Sequence, residues 1–216
     1  LFGGFVANRN NNSTLVINNC LDIGTGTGLL SLMLAQKKDC FIDAIEIDLA
    51  ASEQAKENSE SSSFVNKINI IQADARKFSF EKKYDLIISN PPFYEKELKG
   101  DEEKKNIAHH SEELPLTDLL TIIKDNLNTN GKFYLLLPFK RNEEIKKLIA
   151  ANNFQIETII YIRQTVNHDY FRIIVSGKFS TENQEETLLE EMAIKDEIGN
   201  YTLAFVTLLK DYYLHF

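Results

Sequence analysis

Asn90-Pro91-Pro92-Phe93 holds the residues most able to do chemistry in this chain. Two prolines fix φ and remove two backbone donors, so a rigid turn accounts for Pro91 and Pro92. It does not account for Asn90 or Phe93. A side-chain oxygen on Asn90 and the carbonyl of Pro91 can each accept one hydrogen of a planar amino group. Holding both hydrogens moves the nitrogen toward tetrahedral geometry and presents its lone pair. Phe93 can stack on the ring that bears the amine, and such stacking contributes about 1–3 kcal/mol per base. Positioning and electrostatics then carry most of the catalysis, and no strong general base is required. The catalytic candidates are Asn90, Pro91, Pro92 and Phe93.

A second pattern is Asp22-Ile23-Gly24-Thr25-Gly26-Thr27-Gly28. Glycines at such a loop permit positive φ and let a ligand approach the backbone. A dinucleotide fingerprint requires Gly-x-Gly-x-x-Gly, but Leu29 stands where its third glycine belongs. The loop also begins beside an acid, which suits a pyrophosphate poorly. S-adenosylmethionine has no phosphate and carries an ammonium and a sulfonium, so Asp22 suits its cationic end. Glu46, near the end of Ala44-Ile45-Glu46-Ile47-Asp48, is placed to accept both ribose hydroxyls. Asp48 reads as the N-cap of the next helix. Asp74, at the end of a third strand, is placed to accept from the adenine amino group. The cofactor-binding candidates are Asp22, Gly24, Gly26, Gly28, Glu46, Asp74 and Asn90. No metal site is expected. The two cysteines, Cys20 and Cys40, form no Cys-x-x-Cys pair and read as reduced, buried small hydrophobes.

These motifs need a scaffold, and the pattern supplies one. Strands are expected at 15–23, 41–47, 68–72, 84–89 and 132–137, with Asn130-Gly131 as a turn before the last. Helical spacing covers 29–36, 49–60, 116–127 and 141–151. Alternation of this kind implies a parallel sheet covered on both faces, a doubly wound α/β fold. Two further β-rich runs, 154–162 and 170–179, have no helix between them and should pair antiparallel. The result is a mostly parallel seven-stranded, Rossmann-like sheet with an antiparallel C-terminal hairpin. Tyr201–Tyr213 fits an amphipathic terminal helix. Residues 95–113 read as a lid. The 216 residues suit one domain. The chain opens at Leu1, so a preceding segment is expected.

The net charge is -8, which argues at first against nucleic acid. It is unevenly spread. Residues 181–197 hold seven acids against Lys195, whereas 140–178 hold seven bases against four acids. The acidic run reads as a solvated surface. Lys140, Arg141, Lys146 and Lys147 can touch phosphates or simply coat an amphipathic helix. His109 and His110 are adjacent and do not face each other on a helix, so a surface or capping role is expected. The tip at 164–169 is a candidate RNA contact.

Asp22 to Gly28, the acid at the second strand's end, Asp74-Ala75 and Asn90-Pro91-Pro92-Phe93 together resemble the class I S-adenosylmethionine-dependent amino methyltransferases. The likeness extends to the ends. Leu1-Phe2-Gly3-Gly4-Phe5 resembles the segment before the first strand of the tRNA1(Val) adenine N6-methyltransferase family. Residues 201–216, with Lys210-Asp211-Tyr212-Tyr213-Leu214, resemble that family's C-terminal signature. Asn106-Ile107-Ala108-His109-His110 falls where the family has an Ala-Arg-His-like run. The resemblance implies methylation of the exocyclic N6 of adenine 37, beside the anticodon. It implies substrate contacts at Phe93, Tyr94, Arg163 and Arg172, with the family's basic cluster represented by Arg163, His168 and Arg172. A cytoplasmic monomer acting on the tRNA anticodon loop, with no membrane partner, is the corresponding expectation. Three alternatives use overlapping residues: N-methylation of a protein glutamine, N-methylation of an rRNA guanine, and a non-catalytic S-adenosylmethionine-binding module.

Overall fold

A computed structural model describes residues 1–9, 16–92, 114–182 and 186–215. The lid expected at 95–113 and the His109-His110 pair lie outside the described residues.

Helix α1 (Phe2–Asn8) leads into β1 (Asn19–Ile23), α2 (Leu29–Lys37), β2 (Phe41–Glu46), α3 (Leu49–Glu60), β3 (Ile68–Gln72) and β4 (Tyr84–Ser89). Then follow α4 (Leu116–Asn126), β5 (Leu127–Pro138), a 3-10 turn at Phe139–Arg141 and α5 (Asn142–Ala151). The chain closes with β6 (Phe154–Thr165), β7 (Tyr170–Phe179), β8 (Leu188–Lys195) and α6 (Leu203–Leu209).

One sheet runs in the order β3-β2-β1-β4-β5-β7-β6-β8. Strands β1 to β5 pair parallel, and β7 is antiparallel to both β5 and β6. Each face carries a hydrophobic cluster. One is built on Leu119, Leu120, Phe133, Ile145 and Phe154, the other on Phe2, Phe5, Leu34, Ile42 and Ile174. This is the doubly wound architecture expected. The β6–β7 hairpin joins strands with Ile160 opposite Ile174.

Three expectations are corrected. The sheet has eight strands, not seven. The extra one, β8, lies inside the acidic run and pairs parallel with β6 from Thr158↔Leu188 to Thr165↔Lys195. Its acids are not merely solvated: Glu190 pairs with Arg9 on one face, and Glu191 bonds Arg163 at 2.8 Å on the other. Met192 and Ile194 pack on the core. Secondly, Asn130-Gly131 lies within β5. The ladder jumps from Tyr84↔Leu127 to Leu86↔Lys132, so the extra residues form a bulge. Thirdly, β1 is shorter than expected and begins at Asn19.

The two ends of the chain meet on α2. A Cβ at Gly3 would lie 2.6 Å from Met33 Sδ, and one at Gly4 2.7 Å from Leu209 Cδ2. The Gly-Gly pair therefore lets α1 pack tightly between α2 and α6. Asn8 donates to the Leu208 carbonyl at 3.3 Å, and the Tyr212 hydroxyl donates to the Met33 carbonyl at 3.2 Å. Lys37 pairs with Asp211 at 2.5 Å. The terminal motifs are one packing unit. Cys20 and Cys40 are buried and unpaired, and burial pushes the Cys40 thiol up to about 11.

Candidate active site

Parallel strands put their carboxyl ends along one edge of the sheet, where ligands of such folds bind. Here that edge presents the glycine loop after β1, Glu46 and Asp48 after β2, Asp74 after β3 and Asn90 after β4. A cavity of about 510 Å³ opens there, within the range that accepts a cofactor-sized ligand. Gly24, Gly26, Glu46, Asp48, Asp74, Asn90, Pro91 and Pro92 all line it.

The loop is held from below. Asp22 is fully buried, and its Oδ2 accepts from the Thr25 hydroxyl at 2.6 Å and the Ser31 hydroxyl at 2.7 Å. Its Oδ1 is buried and has no hydrogen-bond partner among the described residues. Burial lifts its carboxyl to about 6, against the two hydroxyl bonds that favour the charged form. Gly24 and Gly26 have φ of +70° and +58° and nothing within 4 Å of where a Cβ would stand. A ligand can therefore approach their backbone closely. Gly28 serves otherwise: a Cβ there would press on Ala55 of α3 at 3.3 Å. Asp22 and Gly28 do not line the cavity; they shape the loop that does.

Glu46 binds the loop directly. Its Oε2 accepts from Gly26 N at 2.8 Å and its Oε1 from Asp48 N at 3.0 Å. Each carboxylate oxygen has a second lone pair, so capacity remains for a diol. Asp48 caps α3, accepting from Ala51 N at 2.7 Å, as expected. Asp74 is gripped by Arg76, with Nε 2.8 Å from Oδ1 and a terminal nitrogen 2.8 Å from Oδ2. These bonds to Arg76 hold the Asp74 carboxyl below the ordinary aspartate value. At the end of β4, Ser89 donates to the Ile23 carbonyl at 2.7 Å, tying β4 to β1. Asn90 is exposed beyond it, and Pro91 is buried. Phe93 and Tyr94 lie outside the described residues.

Arg163 and Arg172 are not brought together. Neither lines the cavity. Strand spacing of about 4.8 Å sets β6 about 14 Å from β4 along the sheet. Arg163 donates to Glu191 and, at 2.5 Å, to the Tyr170 hydroxyl, and lies over the Tyr170 ring at 4.3 Å. Arg172 stands in register with Ile162 and lies over Phe171, a ring packed into the other core cluster. The hairpin tip still falls at the same edge as Asn90, because β6 runs in the direction of β5. There His168 Nδ1 contacts the Thr165 hydroxyl at 2.5 Å.

Sequence reasoning missed Thr25, Ser31 and Arg76. Thr25 and Ser31 carry no signal beyond lying three and nine residues after Asp22. Arg76 had a clearer one: an arginine two residues after a loop aspartate can fold back on it. Among the described residues no cluster of three or more metal-ligating side chains occurs, and no helix is long and apolar enough to cross a membrane.

Residues 8–156 match the methyltransferase small domain family. The chain is 37% identical over 199 residues to a tRNA1(Val) (adenine(37)-N6)-methyltransferase of Christiangramia forsetii, covering 90% of this chain and 82% of that one. It is 34% identical over 203 residues to the enzyme of the same name from Haemophilus influenzae, covering 92% and 84%. Among solved structures, a predicted O-methyltransferase from Agrobacterium tumefaciens superposes with a TM-score of 0.72 at 14% identity, over 97% of this chain and 96% of that one. A glycopeptide N-methyltransferase complexed with S-adenosylmethionine gives 0.60 at 11% identity, over 83% and 88%. The fold is that of the class I methyltransferases.

Proposed function

The chain belongs to the tRNA1(Val) (adenine(37)-N6)-methyltransferase family, and on that premise we propose that it methylates the exocyclic N6 of adenine 37, beside the anticodon of tRNA1(Val), from S-adenosylmethionine. The observation that carries the reading is the convergence of Glu46, Asp74 and Asn90 on one glycine-walled cavity. The residues fit the cofactor. Open space above Gly24 and Gly26 admits a ligand against backbone, and the carboxylate of Asp22, buried beneath the loop, lends the loop a negative field that favours a cationic end. Glu46 would take the ribose hydroxyls and Asp74 the adenine amino group.

S-adenosylmethionine held there would supply an electrophilic methyl carbon on a positively charged sulfur. The protein's part is to bind and orient. The Asn90 side-chain oxygen and the Pro91 carbonyl accept the two amino hydrogens and turn the nitrogen's lone pair toward the cofactor. Phe93 and Tyr94 are the residues that would meet the target base, Phe93 by stacking on its ring. A base in a single-stranded loop reaches such a site at lower cost than one in a duplex. Arg163 and Arg172 would act as backbone contacts at the periphery.

The test uses labelled S-adenosylmethionine, the full-length enzyme and total tRNA lacking the modification, digested to nucleosides. The expected product is labelled N6-methyladenosine mapping to position 37. Label in ribosomal RNA or in protein instead would overturn the substrate, and no label in any pool would overturn the activity.

A further inference from the structure

We propose that Arg76 is a positioning residue of the cofactor pocket, locking Asp74 so that one acceptor position, on Oδ2, is left to meet the cofactor's adenine amino group. This rests on the reading of Asp74 given above. The geometry is specific. Oδ1 accepts twice from Arg76, from its backbone N at 3.0 Å and its Nε at 2.8 Å. Oδ2 accepts once, from the guanidinium at 2.8 Å. A carboxylate oxygen takes two such bonds, so Oδ1 is full and Oδ2 has one place open. A two-pronged guanidinium grip fixes the carboxylate plane in a way that a lysine cannot. The Asp74 side chain is 16% exposed and that of Arg76 28%, and both residues line the cavity.

The surroundings agree. Lys77 Nζ stands 3.8 Å from Oδ2 but is largely exposed. Asp118, in the first turn of α4, adds to the field at Arg76. Glu46 and Asp48 are the other acids lining the cavity. Arg76 is thus the main cation acting on Asp74, and it holds that carboxyl in its charged form. A charged acceptor favours an amino group and repels a carbonyl at the same place.

Two probes read this out: S-adenosylhomocysteine and its 6-oxo counterpart S-inosylhomocysteine, titrated calorimetrically from about pH 3 to 7, a span that brackets the ordinary aspartate value. The wild type should prefer the amino form strongly. Arg76→Gln should weaken S-adenosylhomocysteine about tenfold, narrow its preference over the 6-oxo form, and move the acid loss of binding to higher pH. Arg76→Lys should restore the acid limb but not the full preference, and it serves also if the glutamine variant fails to fold. A pH profile and preference unchanged in both variants would overturn the role of Arg76. Asp74→Asn separates the two ideas. An amide can turn to donate to a carbonyl, so the variant should bind both probes alike. Preference retained in Asp74→Asn would overturn the Asp74 reading and, with it, the proposal.

Discussion

Asp22 is the residue at which function and stability pull apart. Burial lifts its carboxyl from 3.8 to about 6, so the folded chain binds a proton more readily than the unfolded one. Stability is then greatest below the unfolded value and falls as pH rises through about 6. The penalty at neutral pH is on the order of 3 kcal/mol. Asp22→Asn should therefore raise the midpoint of thermal unfolding at pH 7 and lose that advantage near pH 4, while cofactor binding weakens. A variant no more stable than wild type at pH 7 would show that the Thr25 and Ser31 bonds outweigh burial. Asn90 should behave in the opposite way. Asn90→Ala should lower kcat by about 10²–10³ and leave the cofactor Kd nearly unchanged, since Asn90 is exposed at the cavity rim; equal loss of both would remove its assigned role. Glu46→Ala should weaken the cofactor by about 10–100-fold, measured by calorimetry, because Glu46 both faces the cavity and tethers Gly26.

At the scale of elements, the close approach of β7 to its neighbours is the sharpest constraint. A Cβ at Gly177 would lie 2.4 Å from Phe133 Cζ and 2.9 Å from the Gln155 carbonyl. Phe133 is fully buried against Phe154, so neither contact can simply swing away. Gly177→Ala should cost about 1–3 kcal/mol in urea denaturation, and a neutral substitution would mean that β6 and β7 separate more easily than their ladder implies. Most elements were legible because their period is strong: α4 spans Leu116–Asn126 against an expectation of 116–127. Strand β8 was not. Leu188-Leu189-Glu190-Glu191 does not alternate simply, and its two glutamates find their cations on opposite faces, Arg9 and Arg163. Those partners are 181 and 28 residues away, so no local pattern marks the strand.

For the whole molecule, the balance of charge limits how RNA can be held. The chain carries -8, and several of its cations are spent internally: Arg141 on Glu144, Lys146 on Glu143 and Arg163 on Glu191. Those three lie in the stretch richest in bases, so its contacts to phosphate compete with contacts already made. Binding of a tRNA should therefore depend only mildly on salt, with a slope of log K against log salt shallower than about -4, where a protein with many phosphate contacts would be steeper. Filter binding between about 50 and 200 mM salt checks this. A steeper slope would mean that the paired arginines release their acids when RNA arrives.

Local chemistry settled much of this protein from its residues alone. Glycine's tolerance of positive φ, the placement of acids at strand ends and the two prolines after β4 depend on a few neighbouring residues, so the residues that line the cavity and the parallel sheet could be read directly. The terminal motifs could be recognised but not explained. Only the folded chain brings Gly3 and Gly4 against Met33 and Leu209, since close approach between helices depends on where each is carried by the sheet. The same is true of Asp22, whose place beneath the loop follows from burial, and of Arg163, whose partners Tyr170 and Glu191 come from two neighbouring strands. Burial, facing and long-range pairing are properties of the packed sheet, and no spacing along the chain encodes them.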